Sequence, residues 1–368
     1  MMIRPVEKKD LQALAVFLEK ETDRAFLREV WEDRFDCFWD RNPGFVEGRI
    51  PRGWLLLDDD DHVGGFFGNI PAAYAIDGQE EVFCSATSWF VRADLRSHSL
   101  SLLQRYLAQG NPLLDTTPNP AAEKIIKHYG FSELSQPWIT KDFVFPVHAL
   151  GAWNLVMGRR SGLAGIMMAS TAALFCGIFR GYQKIYDGLN FGRSGKKVSV
   201  REITQFGQEY DAFWEKFRKR HPVTAVRDAA RLNWFFFSTE GLRRTRKVFE
   251  VRNAEGLVGY AAVKVEHRNT DKNRVWIWEL VDVALLDESE GVMEYVTAAL
   301  LEAAMKSASP VAFVRVNSFF DGMTRVFRQR GFIALKGKSR FFYRSSSLDQ
   351  KEAPYYATPL DGDRCFFP

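Results

Sequence analysis

Hydrophobic positions in the first 146 residues alternate between helical and strand-like spacing. Residues 8–20 place their apolar side chains at helical spacing, whereas residues 82–93 form a long apolar run that predicts a buried strand. Two more amphipathic helices are expected, one from about Leu100 and one over residues 119–131. Further strands are predicted at residues 2–6, 54–59, 63–71, 111–117 and 138–147. Strands that alternate with helices in this way predict an α/β protein.

The same order of elements recurs from about Val198 to residue 345, where residues 338–345 are the last predicted strand. The final helix of each half ends in Gly-Phe, at Gly130 and at Gly331. We therefore predict two tandem modules. The predicted division of the chain is a first module at 1–146, a segment with an apolar helix at 147–197, a second module at 198–345 and a tail at 346–368.

Composition and charge narrow the function classes. Of the 368 residues, 46% are hydrophobic and 14% aromatic, which is enough for two packed cores. The formal net charge of +4 is too small to predict a nucleic-acid partner. The four cysteines are far apart, so neither a disulfide framework nor a zinc site is expected. Because the N-terminus carries no apolar leader, the sequence predicts a cytoplasmic protein. No metal ion is expected either.

One uncharged segment, residues 161–179, complicates this picture. Its length is near the lower limit for a membrane-spanning helix, but it is rich in Gly, Ala, Ser and Thr. Arg159, Arg160 and Arg180 flank it and would suit anionic lipid headgroups. Three interpretations stay open: a buried or interdomain helix, a helix in the membrane interface, and a true span. The second would make the protein peripheral at the inner membrane surface.

A six-residue motif follows the long strand at 82–93 and enters the next helix. It reads Arg96-Ser97-His98-Ser99-Leu100-Ser101. This motif is similar to the Arg/Gln-x-x-Gly-x-Gly/Ala loop of the GNAT acetyltransferase superfamily. The order of elements resembles the same superfamily over nearly the whole chain, as two tandem modules of the type found in bacterial polysaccharide, envelope or natural-product gene sets. The resemblance implies that each module has a mixed, mostly antiparallel central sheet flanked by helices.

In the GNAT superfamily this loop binds the pyrophosphate of acetyl-CoA. Backbone N–H groups at a helix start point at the phosphate oxygens, and the helix dipole favours the negative charge. The resemblance therefore implies acetyl-CoA or another acyl-CoA as co-substrate. The residues that it assigns to the cofactor are Val91, Arg96, Ser97, His98, Ser99, Leu100, Ser101 and Asn119.

Serine occupies both glycine positions of the motif, at Ser99 and Ser101. A serine keeps the backbone N–H and adds a hydroxyl donor, but its side chain adds bulk where the ligand would approach. Two interpretations stay open: a modified CoA site, or an ordinary helix start that no longer binds CoA. At the corresponding place in the second module, Asp287, Glu288 and Glu290 would repel a pyrophosphate. The first module is therefore favoured as the CoA site.

Catalysis in the GNAT superfamily needs a base for the amine, amides that polarise the thioester, and an acid for the thiolate. The usual tyrosine acid is replaced by Ile126 in the first module and by Phe327 in the second, and neither donates a proton. Tyr129 is nearby, as core filler or as a displaced acid. Glu279 and Asp282 on the long strand of the second module are candidate bases. Since they are three residues apart, we expect them on opposite faces of the strand.

Three other patterns have simpler interpretations. The acidic run that ends at His62 lies between two strands and predicts a solvated hairpin turn rather than a metal site. The basic run 241–247 is expected on a solvated face, although it would also suit an acidic acyl carrier protein. Aromatic residues from Tyr355 to Phe367 predict that the tail packs against a domain.

The resemblance therefore implies an acyl-CoA-dependent N-acyltransferase, and we expect it to act on an amine of a small molecule or sugar precursor. Two alternatives stay open. One is a non-catalytic scaffold in envelope or polysaccharide assembly. The other is an acyltransferase that takes its acyl group from an acyl carrier protein.

Overall fold

A computed structural model describes most of the chain. The described residues are 1–22, 26–134, 141–148, 198–269, 274–337, 340–349 and 355–366, together with eight residues between 174 and 186. The chain forms two compact units, each assembled from separate stretches of sequence. The first unit comprises Met1–Ser135, Phe206–Arg244 and Ser339–Phe367, and the second comprises Gln136–Gln205 and Thr245–Lys338.

The sheet of the first unit contains nine strands within the described residues. Their bounds are β1 Met2–Pro5, β2 Gly53–Leu57, β3 Val63–Ile76, β4 Gln79–Val91, β5 Leu113–Asp115, β6 Ser132–Glu133, β9 Val223–Ala225, β15 Phe342–Arg344 and β16 Tyr355–Tyr356. Seven of them follow the order β1-β2-β3-β4-β5-β15-β6, and β9 joins the end of β3 and carries β16. Among these described strands, only β4–β5 and β9–β16 are parallel pairs. The sheet is therefore mixed and mostly antiparallel.

The sheet of the second unit contains seven strands within the described residues. Their bounds are β7 Lys141–Pro146, β8 Ser199–Ile203, β10 Arg246–Asn253, β11 Gly256–Asn269, β12 Arg274–Leu285, β13 Val311–Asn317 and β14 Ile333–Lys336. The strand order is β14-β7-β13-β12-β11-β10-β8, with β12–β13 as the one parallel pair among them. Both sheets thus confirm the predicted fold class, an α/β protein with two mixed, mostly antiparallel sheets.

Helices connect the strands in both units. Their bounds are α1 Leu11–Glu21, α2 Arg28–Phe35, α3 Ser99–Leu107, α4 Pro120–His128, α5 Glu209–Arg220, α6 Ala229–Phe237, α7 Glu240–Thr245, α8 Glu290–Lys306, α9 Asp321–Gln329 and α10 Ser346–Asp349. α3 and α4 pack on one face of the first sheet, where Leu102, Tyr106 and Ile126 share a buried cluster with Cys84 and Leu113. Each such large apolar side chain contributes about 1.5–3 kcal/mol by leaving water. This cluster fixes α3 against β4 and β5.

Two strands join a different sheet from the one that the sequence order predicts. Residues 138–147 were expected to close the first sheet, but β7 lies between β13 and β14 of the second sheet. Residues 338–345 were expected to close the second sheet, but β15 lies between β5 and β6 of the first. Residues 206–244 likewise belong to the first unit. The compact units therefore depart from the predicted contiguous modules, because apolar spacing identifies a strand but not the sheet that it joins.

The apolar segment 161–179 lies outside the described residues except at three positions, Leu174, Gly177 and Ile178. Within the part of the chain that the structure describes, no helix combines the length and hydrophobicity needed to cross a membrane. The interpretation of this segment as an interfacial helix stays a prediction.

Candidate functional site

The first sheet opens between two of its central strands. β4 pairs with β5 at only two positions, Cys84 with Leu113 and Ser85 with Leu114. β4 continues to Val91, and no described strand pairs with it on that side beyond Ser85. Backbone groups in this half of β4 therefore face a gap where a ligand can satisfy them. We call this opening the β4–β5 gap.

A β-bulge lies in the half of β4 that borders this gap. Phe90 pairs with Phe66 and Thr87 pairs with Gly68, so two residues of β4 oppose one residue of β3. One of the two, Ser88, has a φ of +53°, in the left-handed region that non-glycine residues rarely adopt. A bulge leaves backbone groups outside the regular ladder. Unpaired backbone is thus concentrated beside the β4–β5 gap.

Tyr106 of α3 closes the narrow end of the gap. Its hydroxyl lies 2.7 Å from the carbonyl oxygen of Cys84 and 2.9 Å from that of Leu114. These carbonyls belong to the two strands at the point where they separate, so the hydroxyl compensates for the end of the ladder. Burial raises the pKa of Tyr106 well above its usual value. Tyr106 therefore acts as a hydrogen-bond donor that joins the two strands at this point.

The chain enters α3 through a short 3₁₀ turn, Ala93–His98. No side chain caps α3, and its first turn contains no acidic residue. The residues here that the resemblance assigns to the cofactor are exposed at Arg96, Ser97 and Leu100, and half-buried at Val91, His98, Ser99 and Ser101. They lie together at the positive end of the helix dipole, next to the gap.

The acidic turn between β2 and β3 is occupied by its own hydrogen bonds. Asp58 accepts from the backbone N–H groups of Asp60 and His62, and the bond from His62 holds the pKa of Asp58 below its usual value. Arg92, just before the 3₁₀ turn, pairs with Asp58 and with Asp94. The ligand atoms of Asp58, Asp60 and His62 do lie within 4.8 Å of one another. Their position between paired strands nevertheless confirms the predicted hairpin turn.

The remaining predicted residues of the first unit lie on α4. The side-chain oxygen of Asn119 accepts from the backbone N–H groups of Ala121 and Ala122, at 2.9 Å each, and so caps the helix. Ile126 is buried in the core. Tyr129 is half-buried against the same core, which favours its interpretation as core filler.

Asp115 ends β5 at the gap. The residue is 9% exposed, and burial raises the pKa of its carboxyl to about 8, with the charge of Asp363 as the second cause. Two residues earlier on β5, Leu113 belongs to the core under α3, so Asp115 shares the α3 face of the sheet. At neutral pH this carboxyl is therefore mostly protonated.

The C-terminal tail reaches the gap on the opposite face of the same sheet. Asp363 accepts hydrogen bonds from Thr87 of β4, at 2.8 Å, and from Thr117 beyond β5, at 2.6 Å. Thr87 alternates along β4 with Ala86, which packs against the core under α3. The tail itself is buried at Tyr355, Tyr356 and Phe366, which confirms that it packs against a domain.

Sequence reasoning did not single out Ser85, Asp115 or Asp363, which the structure places at the β4–β5 gap. No spacing motif connects them, since Thr87 and Asp363 are 276 residues apart in the chain. The one available signal was the acidic tail around Asp361 and Asp363, which by itself resembles an incomplete calcium loop. Only the fold brings these side chains to the β4–β5 gap.

The candidate bases of the second unit lie beside a second bulge. β12 pairs with β13 up to Leu280, and Val281 is then the extra residue opposite β11. Glu279 therefore pairs with Lys264 and Asp282 with Ala262, which are two residues apart on β11 and share a face. The expectation that Glu279 and Asp282 point to opposite faces is wrong, because it counted along a strand without a bulge.

Both candidate bases are buried and have partners within the second unit. Glu279 lies 3.9 Å from Arg315, and Asp282 accepts from the hydroxyl of Tyr260. Arg315 also pairs with Asp142 of β7 at 2.7 Å. Buried charges arranged in this way are typical of a structural ion-pair network. Glu279 and Asp282 are thus in a different unit from the Arg96–Ser101 turn.

The start of α8 in the second unit differs from that of α3. The carboxylate of Asp287 accepts from the backbone N–H of Ser289 at 3.0 Å, and Glu290 of the first turn pairs with Arg325. Carboxylates of the chain therefore occupy the region where an anion would bind.

The basic run at 241–247 is engaged in local ion pairs. Arg244 pairs with Glu240 at 2.9 Å in the first unit, and Lys247 pairs with Glu202 at 2.8 Å in the second. These contacts are typical of a solvated face. They give no support to an acidic carrier protein as partner.

Comparison with solved structures identifies the fold. N-myristoyltransferase of Saccharomyces cerevisiae with bound myristoyl-CoA superposes with a TM-score of 0.60 at 12% identity, over 94% of this chain and 83% of that one. A probable N-acyltransferase of Enterococcus faecalis superposes with a TM-score of 0.53 at 8% identity, over 94% of this chain and 73% of that one. A GCN5-related N-acetyltransferase of Anabaena variabilis superposes with a TM-score of 0.53 at 11% identity, over 93% of this chain and 72% of that one. The protein has the GNAT fold, duplicated as in an N-myristoyltransferase-like architecture.

At the level of sequence, no family model matches the chain, and no curated protein is similar to it.

Proposed function

We propose that the protein is an acyl-CoA-dependent N-acyltransferase and that its first unit binds the acyl-CoA. The observation that carries the proposal is the β4–β5 gap, which opens directly beside the start of α3. In this gap a thioester would meet the unpaired backbone of the β4 bulge, and a pyrophosphate would meet the first N–H groups of α3. The fold supports the same reaction, since its neighbours include an N-myristoyltransferase with bound myristoyl-CoA.

The Arg96–Ser101 turn suits a diphosphate for three reasons. The first N–H groups of α3 have no side-chain cap, the first turn has no acidic residue, and serine hydroxyls can donate to phosphate oxygens. The bulk of Ser99 and Ser101 is compatible with this role, because both side chains are half-buried at the surface rather than packed in the core. The proposal therefore favours a modified CoA site over an ordinary helix start.

Asp115 is the proposed proton donor to the departing thiolate. Ile126 occupies the usual place of the acid, and the hydroxyl of Tyr106 is held by two carbonyl groups. The carboxyl of Asp115 is mostly protonated at neutral pH because burial raises its pKa to about 8. It lies at the gap on the face that carries α3, where the thiol of CoA would leave.

The proposed acceptor is an amine of a small molecule or sugar precursor, and the proposed donor is acetyl-CoA or a longer acyl-CoA. We place the reaction in the cytoplasm, where acyl-CoA is available. The alternative, a non-catalytic scaffold, shares the fold but requires no ligand at α3. Among the described residues of the first unit, no contact supports an acyl carrier protein as donor.

The test is binding of free CoA, acetyl-CoA and myristoyl-CoA, measured by calorimetry and by the shift in Tm. The decisive variant is Ser99→Glu. A glutamate in the first turn stabilises a helix by about 0.3–1 kcal/mol, so the variant folds, but its charge repels the pyrophosphate. We expect CoA affinity to fall more than 10-fold, an order of magnitude set by the loss of about 1.4 kcal/mol or more.

Gln104→Glu is the matched control, since it adds the same charge to an exposed position of α3 beyond its first turn. Its CoA affinity should equal that of the unchanged protein. If none of the three ligands shifts the Tm of the unchanged protein, the scaffold alternative replaces the enzyme. If Ser99→Glu binds CoA normally, the site lies elsewhere.

A further inference from the structure

Apolar side chains are exposed on one helical segment of the second unit. Eight residues are described between 174 and 186, and each of them has helical backbone. Three are large apolar residues with most of their surface in water: Leu174 is 67% exposed, Ile178 61% and Ile185 65%. We call these three residues the apolar stripe.

The apolar stripe follows a single line along the helix. At 3.6 residues per turn, its three positions lie within about 40° of one another around the axis and span about 17 Å. On the same count, Gln183 lies on the opposite side of the axis. Single exposed apolar residues are common on protein surfaces, whereas a continuous line of them is typical of an interaction surface.

The side of the segment opposite the stripe is fixed to the second unit by polar contacts. Gln183 is buried, and its amide donates to the carbonyl oxygen of Arg330 and accepts from the Arg330 guanidinium at 3.0 Å. The hydroxyl of Tyr186 donates to Glu294 of α8 at 2.8 Å. The segment therefore turns polar side chains toward the protein and apolar ones toward water, which is the reverse of an ordinary amphipathic surface helix.

These contacts determine how the stripe meets a partner. Because Gln183 and Tyr186 hold one side of the segment on the second unit, the partner approaches from the side of the stripe. A helix held in this way does not cross a bilayer without breaking buried polar contacts. It can instead lie on a bilayer with its apolar side at the boundary of the headgroups and acyl chains.

The sequence that contains the stripe is strongly basic. Residues 149–197 include seven basic side chains and one acidic side chain, Asp187, so their net charge is +6, whereas that of the whole chain is +4. The basic residues are Arg159, Arg160, Arg180, Lys184, Arg193, Lys196 and Lys197. Arg180 and Lys184 are within two positions of Ile178 and Ile185, and consecutive Cα atoms are only about 3.8 Å apart. Positive charge is therefore concentrated near the stripe.

This charge distinguishes between two surfaces that would cover the stripe. A second copy of the chain would bring the same positive charge to the contact, and like charges repel. A bilayer that contains anionic lipids attracts the basic residues and also takes up the apolar side chains. Charge complementarity therefore favours the lipid surface.

We propose that the apolar stripe, with the basic residues of 149–197, docks the protein on a membrane surface that contains anionic lipids. The stripe enters the boundary of the headgroups, and the basic side chains bind the lipid phosphates. This inference goes beyond the proposed function, because it concerns the second unit and requires no CoA.

The test is binding of the full chain to vesicles of phosphatidylcholine, with and without phosphatidylglycerol, measured by co-sedimentation. We expect the anionic vesicles to bind about 10-fold more tightly or better, because each basic residue near the surface adds to the attraction. Raising the salt concentration from about 0.1 M to about 1 M shortens the Debye length from about 10 Å to about 3 Å. Binding should weaken accordingly.

Substitutions in the stripe test the apolar part of the contact. Ile178→Glu and Leu174→Glu each place a carboxylate where the lipid would lie, and both positions are exposed, so an unchanged Tm should show that the variants fold. Each should lower the affinity for anionic vesicles about 10-fold or more. Val16→Glu is the matched control, since it makes the same change at an exposed apolar position of α1 in the first unit. Its affinity should equal that of the unchanged protein.

Three results would overturn the proposal. The first is equal binding to neutral and anionic vesicles, or no binding to either. The second is unchanged vesicle binding by Ile178→Glu. The third is self-association of the chain without vesicles that Ile178→Glu abolishes, because the stripe would then be an interface between copies. Since calorimetry with CoA tests the proposed function separately, failure of either proposal leaves the other standing.

Discussion

The two units place different chemistry on the same backbone plan. In each, a long central strand carries a bulge and pairs in parallel with the next strand only before that bulge. In the first unit the parallel pairing covers two residue pairs, and the following helix starts without acidic residues. In the second unit it covers five pairs, and the helix start is occupied by Asp287 and Glu290. The comparison indicates that the backbone provides an opening, whereas the side chains at the helix start decide whether an anion can enter it.

Substitution of a buried aspartate in each unit gives the largest expected contrast in the free energy of unfolding. Asp142 of the second unit pairs with Arg315, so Asp142→Asn should lower the free energy of unfolding by about 3 kcal/mol at neutral pH. Asp115 of the first unit has a pKa raised to about 8 by burial. Its contribution to stability is fully present below about pH 4 and is lost as the pH rises through about 8.

Asp115→Asn should therefore leave stability unchanged near pH 4 and raise it by about 2–4 kcal/mol near pH 9. Urea unfolding of both variants at these two pH values checks the opposite signs. The same Asp115 variant should lose turnover while it gains stability. A destabilised Asp115→Asn protein at pH 9 would contradict this account.

Removal of a side-chain hydroxyl from the same position of two corresponding helices gives a smaller contrast in the free energy of unfolding. Tyr106 is the eighth residue of α3 and reaches the carbonyls of Cys84 and Leu114, where β4 and β5 separate. Thr297 is the eighth residue of α8 and donates only to Met293 of its own helix. Tyr106→Phe should cost about 1–2 kcal/mol because buried carbonyls lose their partner, and Thr297→Val about 0.5 kcal/mol.

Denaturant unfolding measures both values. If the two substitutions cost the same, the hydroxyl of Tyr106 does not compensate for the separation of the strands. Thr297→Val serves here as the matched control, because it removes a hydroxyl of a fully buried side chain without affecting a strand carbonyl.

The starts of α3 and α8 give the smallest expected contrast in the free energy of unfolding. Glu290→Gln removes a favourable charge from the first turn of α8 and should cost about 0.5 kcal/mol. Since Asp287 still occupies the Ser289 N–H, this change should not create a second CoA site. Calorimetry should continue to give one CoA per chain. A stoichiometry of two would show that Glu290 alone excludes the anion.

Local features of this fold were predictable from the sequence. The Asn119 cap, the Gly130 stop and the serine-rich start of α3 depend on a few neighbouring residues, and the structure has each of them at the expected place. The fold class followed from the order of strands and helices. Such features need no knowledge of distant residues.

Features that depend on register were not predictable. The bulge at Val281 brings Glu279 and Asp282 to one face, and nothing in the spacing of β12 indicates it. The contact between Thr87 and Asp363 joins positions that are 276 residues apart in the chain, so no local pattern connects them. The candidate site therefore needed the fold, although the residue types were visible in the sequence.

The reciprocal placement of β7 and β15 bears on how the chain folds during synthesis. The first sheet lacks the strand between β5 and β6 until residues 342–344 leave the ribosome, and the tail with Asp363 emerges later still. The amino-terminal unit consequently cannot complete its sheet before residue 344 has been synthesised. A chain truncated before residue 342 would thus leave β5 and β6 without the strand that lies between them.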